Sequence, residues 1–240
     1  MRKLSIVIPA FNEERSIAKL LDIVTQVPTE SIGFSKEVIL VDDGSKDRTA
    51  EIAERYSGVR VIRQLNQGKG RAVQAGVREA TGDFILVQDA DLEYDPHDYL
   101  PILSAISDDN MAVYGSRVLG QSLKQGKFHL LRGKHPQQGL GPWLAGVLLS
   151  LITFMVYGRW ISDTLTAYKL YPASILKSFA IKTHGFETDH EITAKLIRHG
   201  VRIIEVPISY TPRSVEEGKK IRARDGFIAL GTLLRFRFLS

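Results

Sequence analysis

The sequence predicts an α/β fold: a doubly wound, mostly parallel sheet flanked by helices, with an amphipathic helix at the C-terminal end. Three observations predict it. Short apolar runs alternate with helix-length segments through the first half of the chain. Each run ends in a polar loop. One run, Phe84-Ile85-Leu86-Val87, flows through Gln88 into Asp89-Ala90-Asp91. Open α/β sheets bind ligands beyond the carboxyl ends of their strands, which is where these carboxylates fall.

Each element follows from its residues. Leu4 to Pro9 reads as the first strand. A helix is expected from Asn12, which would cap it, with Glu13 and Glu14 in its first turn and Ile17, Leu20, Leu21 and Val24 on one face. Glu37 to Val41 is a second buried strand, running into Asp42-Asp43-Gly44-Ser45, and a helix is expected near 47–56. Val59 to Ile62 is a third, followed by the loop Asn66-Gln67-Gly68-Lys69-Gly70 and a helix over 71–80. After the strand that begins at Phe84, a helix follows Pro96, and Met111 to Tyr114 is a further strand ending at Gly115-Ser116-Arg117. Strand-helix alternation at this spacing argues right-handed crossovers, which bring the polar loops to one rim.

Composition narrows the chemistry. With 240 residues and 44% hydrophobic content, the chain can bury a sizeable core. It has no cysteine, which removes disulfides and thiolate chemistry and fits a reducing compartment. The start of the chain is a strand interrupted by Pro9, not a signal peptide. The net charge of +5 suits nucleic acid, anionic lipid or phosphorylated substrates. A nucleic-acid role would need basic residues interleaved with exposed aromatics, and that pattern is not present.

The loops narrow it further. G-x-G-x-x-G after the first strand and the P-loop pattern are both missing. In an extended chain Asp89 and Asp91 point to the same side, so both can reach one hard cation, and that cation can hold a diphosphate. Asp42 could accept hydrogen bonds from a ribose or base edge, and Lys69 could offset diphosphate charge. The plainer alternative for Asp-x-Asp alone is a solvated acidic turn.

Together, Ile8-Pro9-Ala10-Phe11-Asn12-Glu13, Val41-Asp42-Asp43-Gly44-Ser45-Lys46-Asp47, Asn66-Gln67-Gly68-Lys69-Gly70 and Asp89-Ala90-Asp91 resemble the family 2 glycosyltransferases. Within that family the likeness is to polyprenyl-phosphate sugar synthases, the dolichol-phosphate mannose and glucose enzymes. The resemblance implies the GT-A fold and a nucleotide-diphospho-sugar donor, a UDP- or GDP-hexose. It implies that Pro9, Asn12 and Glu13 line the nucleotide pocket. It places Asp42 on the base or ribose with Lys69 nearby, and Asp89 and Asp91 on Mg²⁺ or Mn²⁺. Glu93 matches a position that is often Gln in the mannose synthases and can add a metal ligand.

The second half carries the acceptor side. Arg117 resembles the family's arginine at the acceptor phosphate, and an arginine just past a strand end suits a forked phosphate contact. A surface salt bridge is the alternative. The segment 121–141, with Lys124, Lys127, Arg132 and Lys134, reads as a loop over the site, with Arg132 a second phosphate candidate. His129 and His135 read as loop-surface residues. From Trp143 to Tyr157 the chain is almost wholly apolar, about 15 residues against the roughly 20 needed to span a bilayer. This is expected to be a core or membrane-facing helix rather than a true transmembrane segment. Asp163 to Lys169 resembles the family's acidic motif. There Asp163 would serve as a base or orient groups, and Lys169 would contact phosphate. The segment Gly185-Phe186-Glu187-Thr188-Asp189-His190-Glu191 resembles one in which Glu187 and Asp189 shape the sugar side; His190 is expected at the surface. Glu205 to Tyr210 reads as the last strand.

Arg213, Lys219 and Lys220 match a basic segment of the polyprenyl-phosphate relatives and could close over the donor diphosphate. The alternative is a solvated charge run. Phe227 to Leu239 is amphipathic and basic, and suits a helix on an anionic membrane surface. The expected organisation is a catalytic domain over 1–212 and a basic loop with a membrane-facing tail over 213–240, peripheral on the cytoplasmic face of a membrane. Some members of the resembled family carry transmembrane helices beyond the catalytic domain; a chain ending at Ser240 would be a shorter or trimmed form.

The expected reaction is metal-dependent, inverting transfer of mannose or glucose to a polyprenyl phosphate, with Asp91, Arg117 and Asp163 as the catalytic group. Two rivals are a transferase acting on a saccharide or glycolipid hydroxyl, which needs Asp163 as a true base, and a non-catalytic nucleotide-sugar binding module.

Overall fold

The computed structural model describes residues 1–126, 129–213 and 223–238. Its strands are β1 (Arg2–Ala10), β2 (Phe34–Asp42), β3 (Val59–Arg63), β4 (Phe84–Val87), β5 (Met111–Ser116), β6 (Lys169–Pro172) and β7 (Arg202–Pro207). They form one sheet in the order β3-β2-β1-β4-β6-β5-β7. All pairings are parallel except those of β6, which runs antiparallel to β4 and β5. The short antiparallel strand is one of the elements the sequence pattern does not predict, with the helices over 117–125 and 173–178. Lys169-Leu170-Tyr171-Pro172 has no long apolar run and ends in proline, so its strand character comes from the slot between β4 and β5.

The sheet is covered on both faces. Along β1, Leu4, Ile6 and Ile8 enter one core, while Val7 enters the other with Ile39 and Val41 of β2. That is the period of two expected of a strand buried on both sides. The helices are α1 (Ile17–Gln26), α2 (Thr49–Ala53), α3 (Lys69–Glu79), α4 (Tyr99–Ser104), α5 (Arg117–Gln125), α6 (Leu140–Tyr157), α7 (Ala173–Ser178), α8 (Thr188–Arg198) and α9 (Ala223–Phe238). The predicted apolar face of α1, Ile17, Leu20, Leu21 and Val24, is buried.

Three boundaries differ from expectation. α1 begins at Ile17 rather than beside Asn12. Asn12 takes a left-handed backbone (φ 53°), and its side chain accepts from Lys46 N at 2.8 Å, so it ties two rim loops together instead of capping a helix. The apolar helix α6 begins at Leu140 and has 18 residues of mean hydropathy 1.8, of which 17% are buried. Among the described residues it is the one helix long and apolar enough to cross a membrane by length and composition. The last strand lies at 202–207, ahead of the expected 205–210.

α9 does not stand apart. Ala229 and Leu233 pack on Leu149 of α6, Tyr157 Oη donates to Leu233 O at 2.7 Å, and Arg198 of α8 donates to Phe236 O at 2.8 Å. The outer surfaces of α6 and α9 stay exposed at Leu144, Leu148, Met155, Phe227 and Phe238.

Away from the loop-bearing rim, Glu37 of β2 binds the sheet to the turn before β4. It accepts from Ser5 Oγ and from Thr81 N and Oγ1, and pairs with Lys3 at 2.9 Å. Burial raises its carboxyl, but these donors outweigh burial and hold it at about 2. A depressed carboxyl contributes stability that is full above its unfolded value and is lost as pH falls through the folded one. Glu37→Gln is therefore expected to flatten the loss of Tm between pH 4.5 and about 2, as read by thermal melts across that range.

Candidate active site

The site gathers at the carboxyl ends of β1, β2 and β4. Their register places Ala10 beside Asp42 and Val7 beside Val87, and Asp43 N and Gln88 N continue the ladder to Ala10 O and Val7 O. Pro9 sits near the end of β1 beside Val41 of β2. Asn12 N donates to Ser45 Oγ at 2.9 Å and Glu13 N to Thr49 Oγ1 at 2.8 Å, so the first rim loop is fastened to the second.

The two aspartates ending β2 divide their work. Asp42 is buried, and among the described residues its carboxylate accepts one long bond, from Ser45 N at 3.3 Å. Asp43 is fully engaged: it accepts from Gln64 Nε2 at 2.6 Å, Gln67 N at 2.9 Å and Gly68 N at 2.8 Å. It shapes the loop that leads into α3. The glycines of that loop serve close approach rather than a phosphate cradle. A Cβ on Gly70 would lie 2.0 Å from Thr188 Oγ1, and Gly70 N donates to His184 O at 2.7 Å. The turn of α3 that carries Lys69 is thereby held against the start of α8.

Lys69 Nζ lies 2.6 Å from Asp89 Oδ1. Burial works against its charge, but Asp89, Asp189 and Asp91 hold the ammonium firmly protonated. Asp91 accepts from Glu93 N through Oδ1 and from Arg213 Nη2 at 2.9 Å through Oδ2. Burial, with Asp89 and Glu93 adding like charge, raises the Asp91 carboxyl above the ordinary range despite Arg213. A cluster of this kind is relieved by a cation, and two carboxylates one residue apart are hard oxygen donors suited to Mg²⁺ or Mn²⁺. Among the described residues, no group of three or more His, Cys, Asp or Glu is placed to hold a metal ion. Glu93, expected as a further ligand, is engaged elsewhere: Oε2 accepts from Tyr210 Oη at 2.9 Å and Oε1 from Arg213 N at 2.8 Å.

Gln88 supports this arrangement and was not singled out from sequence. It is wholly buried, receives the hydroxyls of Tyr99 and Tyr168, and donates to Asp89 O at 2.8 Å. A polar residue ending a run of buried apolar ones was the available signal.

Arg117, expected to face the acceptor, opens α5 behind its N-cap Ser116. Its Nε and Nη2 grip both oxygens of buried Asp163 at 2.7 and 2.8 Å, and its guanidinium lies 4.9 Å from the Tyr210 ring. Burial would raise the Asp163 carboxyl, but Arg117 overrides it and holds the group below the usual carboxylate range. Glu205 of β7 accepts from Ser162 N and Oγ and from Asp163 N, which places Asp163. Sequence reading gave Glu205 only a place in a strand.

Several expected contacts are not brought together. Lys169 is completely buried in β6, donating to Thr164 O at 3.2 Å, and burial lowers its ammonium. It reaches no surface where a phosphate would bind. Arg132 is exposed and makes no hydrogen bond or ion pair with another described residue. Glu187 folds back to His184 N and Gly185 N at the start of α8. His190, expected at the surface, is buried with neither ring nitrogen bonded, and burial lowers it to about 3. Lys219 and Lys220 lie outside the described residues.

The mostly parallel sheet with an acidic pair at its rim has the GT-A architecture. The glycosyl transferase family 2 profile matches residues 5–160, and the chain belongs to that family. It is 30% identical over 95% of its length to a dolichyl-phosphate β-glucosyltransferase of Trichomonas vaginalis, of which it spans 71%. It is 27% identical over 91% of its length to an undecaprenyl-phosphate 4-deoxy-4-formamido-L-arabinose transferase of Salmonella paratyphi B, of which it spans 63%. In fold it matches glucosyl-3-phosphoglycerate synthase from Mycobacterium tuberculosis, solved with Mn²⁺, UDP and phosphoglyceric acid. That match has a TM-score of 0.71 at 20% identity and covers all of this chain and 80% of that one.

Proposed function

We propose that the enzyme transfers a hexose, glucose or mannose, from a nucleotide-diphospho-sugar to a polyprenyl phosphate, inverting the anomeric carbon. The observation that carries this reading is the Arg117–Asp163 pair. A hydroxyl acceptor needs a base, yet both oxygens of Asp163 are held by Arg117 and its carboxyl is pushed away from proton uptake. A phosphate acceptor is already anionic and needs no base. Arg117 Nη1 is not spent on Asp163, which suits contact with a phosphate oxygen. The two polyprenyl-phosphate transferases above support the same acceptor class.

Asp42 and the loop shaped by Asp43 would receive the nucleoside, with Pro9, Asn12 and Glu13 lining its pocket. Asp89 and Asp91 would hold Mg²⁺ or Mn²⁺, which when bound neutralises the leaving diphosphate. Lys69 and Arg213 would add positive charge there. Arg117 would orient the acceptor behind the anomeric carbon, with Arg132 as a second contact. The exposed apolar surfaces of α6 and α9 would face the membrane holding the lipid, on the side where the nucleotide sugar is made, the cytoplasmic face. Residues 213–240 would then form the donor-closing and membrane-facing part of the enzyme.

The test is a transfer assay with purified protein, Mg²⁺ or Mn²⁺, a short polyprenyl phosphate, and labelled UDP-glucose and GDP-mannose in separate reactions. Label moving into the organic phase with one donor is the expected result. Nucleotide binding with all label staying water-soluble would overturn the lipid acceptor and favour a saccharide acceptor or a binding module.

A further inference from the structure

We propose that Arg213 is a resident cation of the diphosphate site and makes divalent-metal binding conditional on the nucleotide diphosphate. The inference rests on the reading that Asp89 and Asp91 hold a metal ion, and goes beyond it to the order in which the site fills.

The observations are specific. Arg213 Nη2 donates to Asp91 Oδ2 at 2.9 Å, and Nη1 reaches Glu13 Oε2 at 3.4 Å. With Glu93 N on Oδ1, both oxygens of Asp91 are engaged. A metal ion must therefore compete with the guanidinium for Asp91. The placement is built from the backbone up. Glu93 O accepts from Thr211 N at 2.9 Å, and the Glu93 carboxylate accepts from Tyr210 Oη and Arg213 N at 2.9 and 2.8 Å. Glu93 is thus a positioning residue: it fixes the main chain of Arg213 and leaves the side chain to exchange partners. Arg213 Nε is buried with no hydrogen-bond partner among the described residues. The guanidinium consequently keeps a donor in hand on the carboxylates, and a diphosphate oxygen would satisfy it.

The consequence is cooperative filling. A metal ion alone must displace Arg213 from Asp91 and leave it only the longer pair with Glu13 in a half-buried site, with only two carboxylates as reward. A metal ion arriving with a diphosphate gains phosphate ligands and gives the displaced guanidinium an anion to hold. Coupling between two ligands is reciprocal, so it can be measured from either side.

The experiment follows free Mn²⁺ by electron paramagnetic resonance while Mn²⁺ is titrated into the full chain, with and without UDP, for wild type, R213M and E93A. Without UDP, R213M is expected to bind Mn²⁺ about tenfold tighter than wild type, and UDP is expected to tighten Mn²⁺ binding about tenfold or more in wild type and much less in R213M. E93A, which frees the Arg213 main chain, is expected to move the same way by a smaller factor. It carries the test if R213M fails to fold by thermal melt. Equal or weaker Mn²⁺ binding by the variants without UDP overturns the role of Arg213. No Mn²⁺ bound by wild type even with UDP overturns instead the metal reading on which it rests.

Discussion

Asp91→Asn is expected to lower the turnover of hexose transfer by about 10²–10³-fold, the range seen when one group that stabilises developing charge is removed. The carboxylate would share the metal ion that neutralises the leaving diphosphate, and asparagine is a weaker, neutral ligand. The same substitution is not expected to damage the fold. Asparagine keeps an oxygen for Glu93 N. It also removes one negative charge from a cluster in which burial, Asp89 and Glu93 already push the Asp91 carboxyl upward. A carboxyl raised in the fold subtracts stability once pH exceeds its unfolded value, so the neutral variant is expected to melt at the same temperature or higher at pH 7. Steady-state rates and thermal melts on the same preparation check both halves. A variant that keeps full turnover would remove Asp91 from the chemistry.

Asp163→Ala is expected to destabilise the protein by roughly 3–5 kcal/mol, because it leaves the half-buried Arg117 guanidinium without its counter-charge. Asp163 is 5% exposed and takes three donations from Arg117, from N, Nε and Nη2. The carboxyl is held below its unfolded value of 3.8, so this contribution is present above that pH and is lost as pH falls below it. Asp163→Asn separates the two roles considered for this residue. If Asp163 only positions Arg117, the variant is expected to weaken acceptor binding and stability while turnover at saturating acceptor falls less than tenfold, as less than 1.4 kcal/mol of barrier would be at stake. A far larger fall in turnover with acceptor affinity unchanged would return Asp163 to the role of a base. Denaturant unfolding and acceptor titration measure the two effects separately.

The sequence by itself determined the parallel part of the sheet, most of its order along the chain and the rim on which the candidate site lies. Buried parallel strands are legible because both faces need apolar residues, and because each strand here ends in a polar loop. The rim positions of Asp89, Asp91 and Asp42 were legible for the same reason, since a strand end leaves a side chain little choice of location. What a side chain touches was decided by the tertiary structure. Lys169 and His190 are polar residues beside motif positions, yet the slot between β4 and β5 buries one and the packing of α8 buries the other. Glu93 turned toward Tyr210 and Arg213, which are more than a hundred residues away along the chain. Asp163 met Arg117 because α5 begins beside the loop that Glu205 holds. Hydrogen bonds and ion pairs are short-ranged and depend on partners from distant segments, so a pattern read along the chain places a residue at the rim but leaves its partner to the fold.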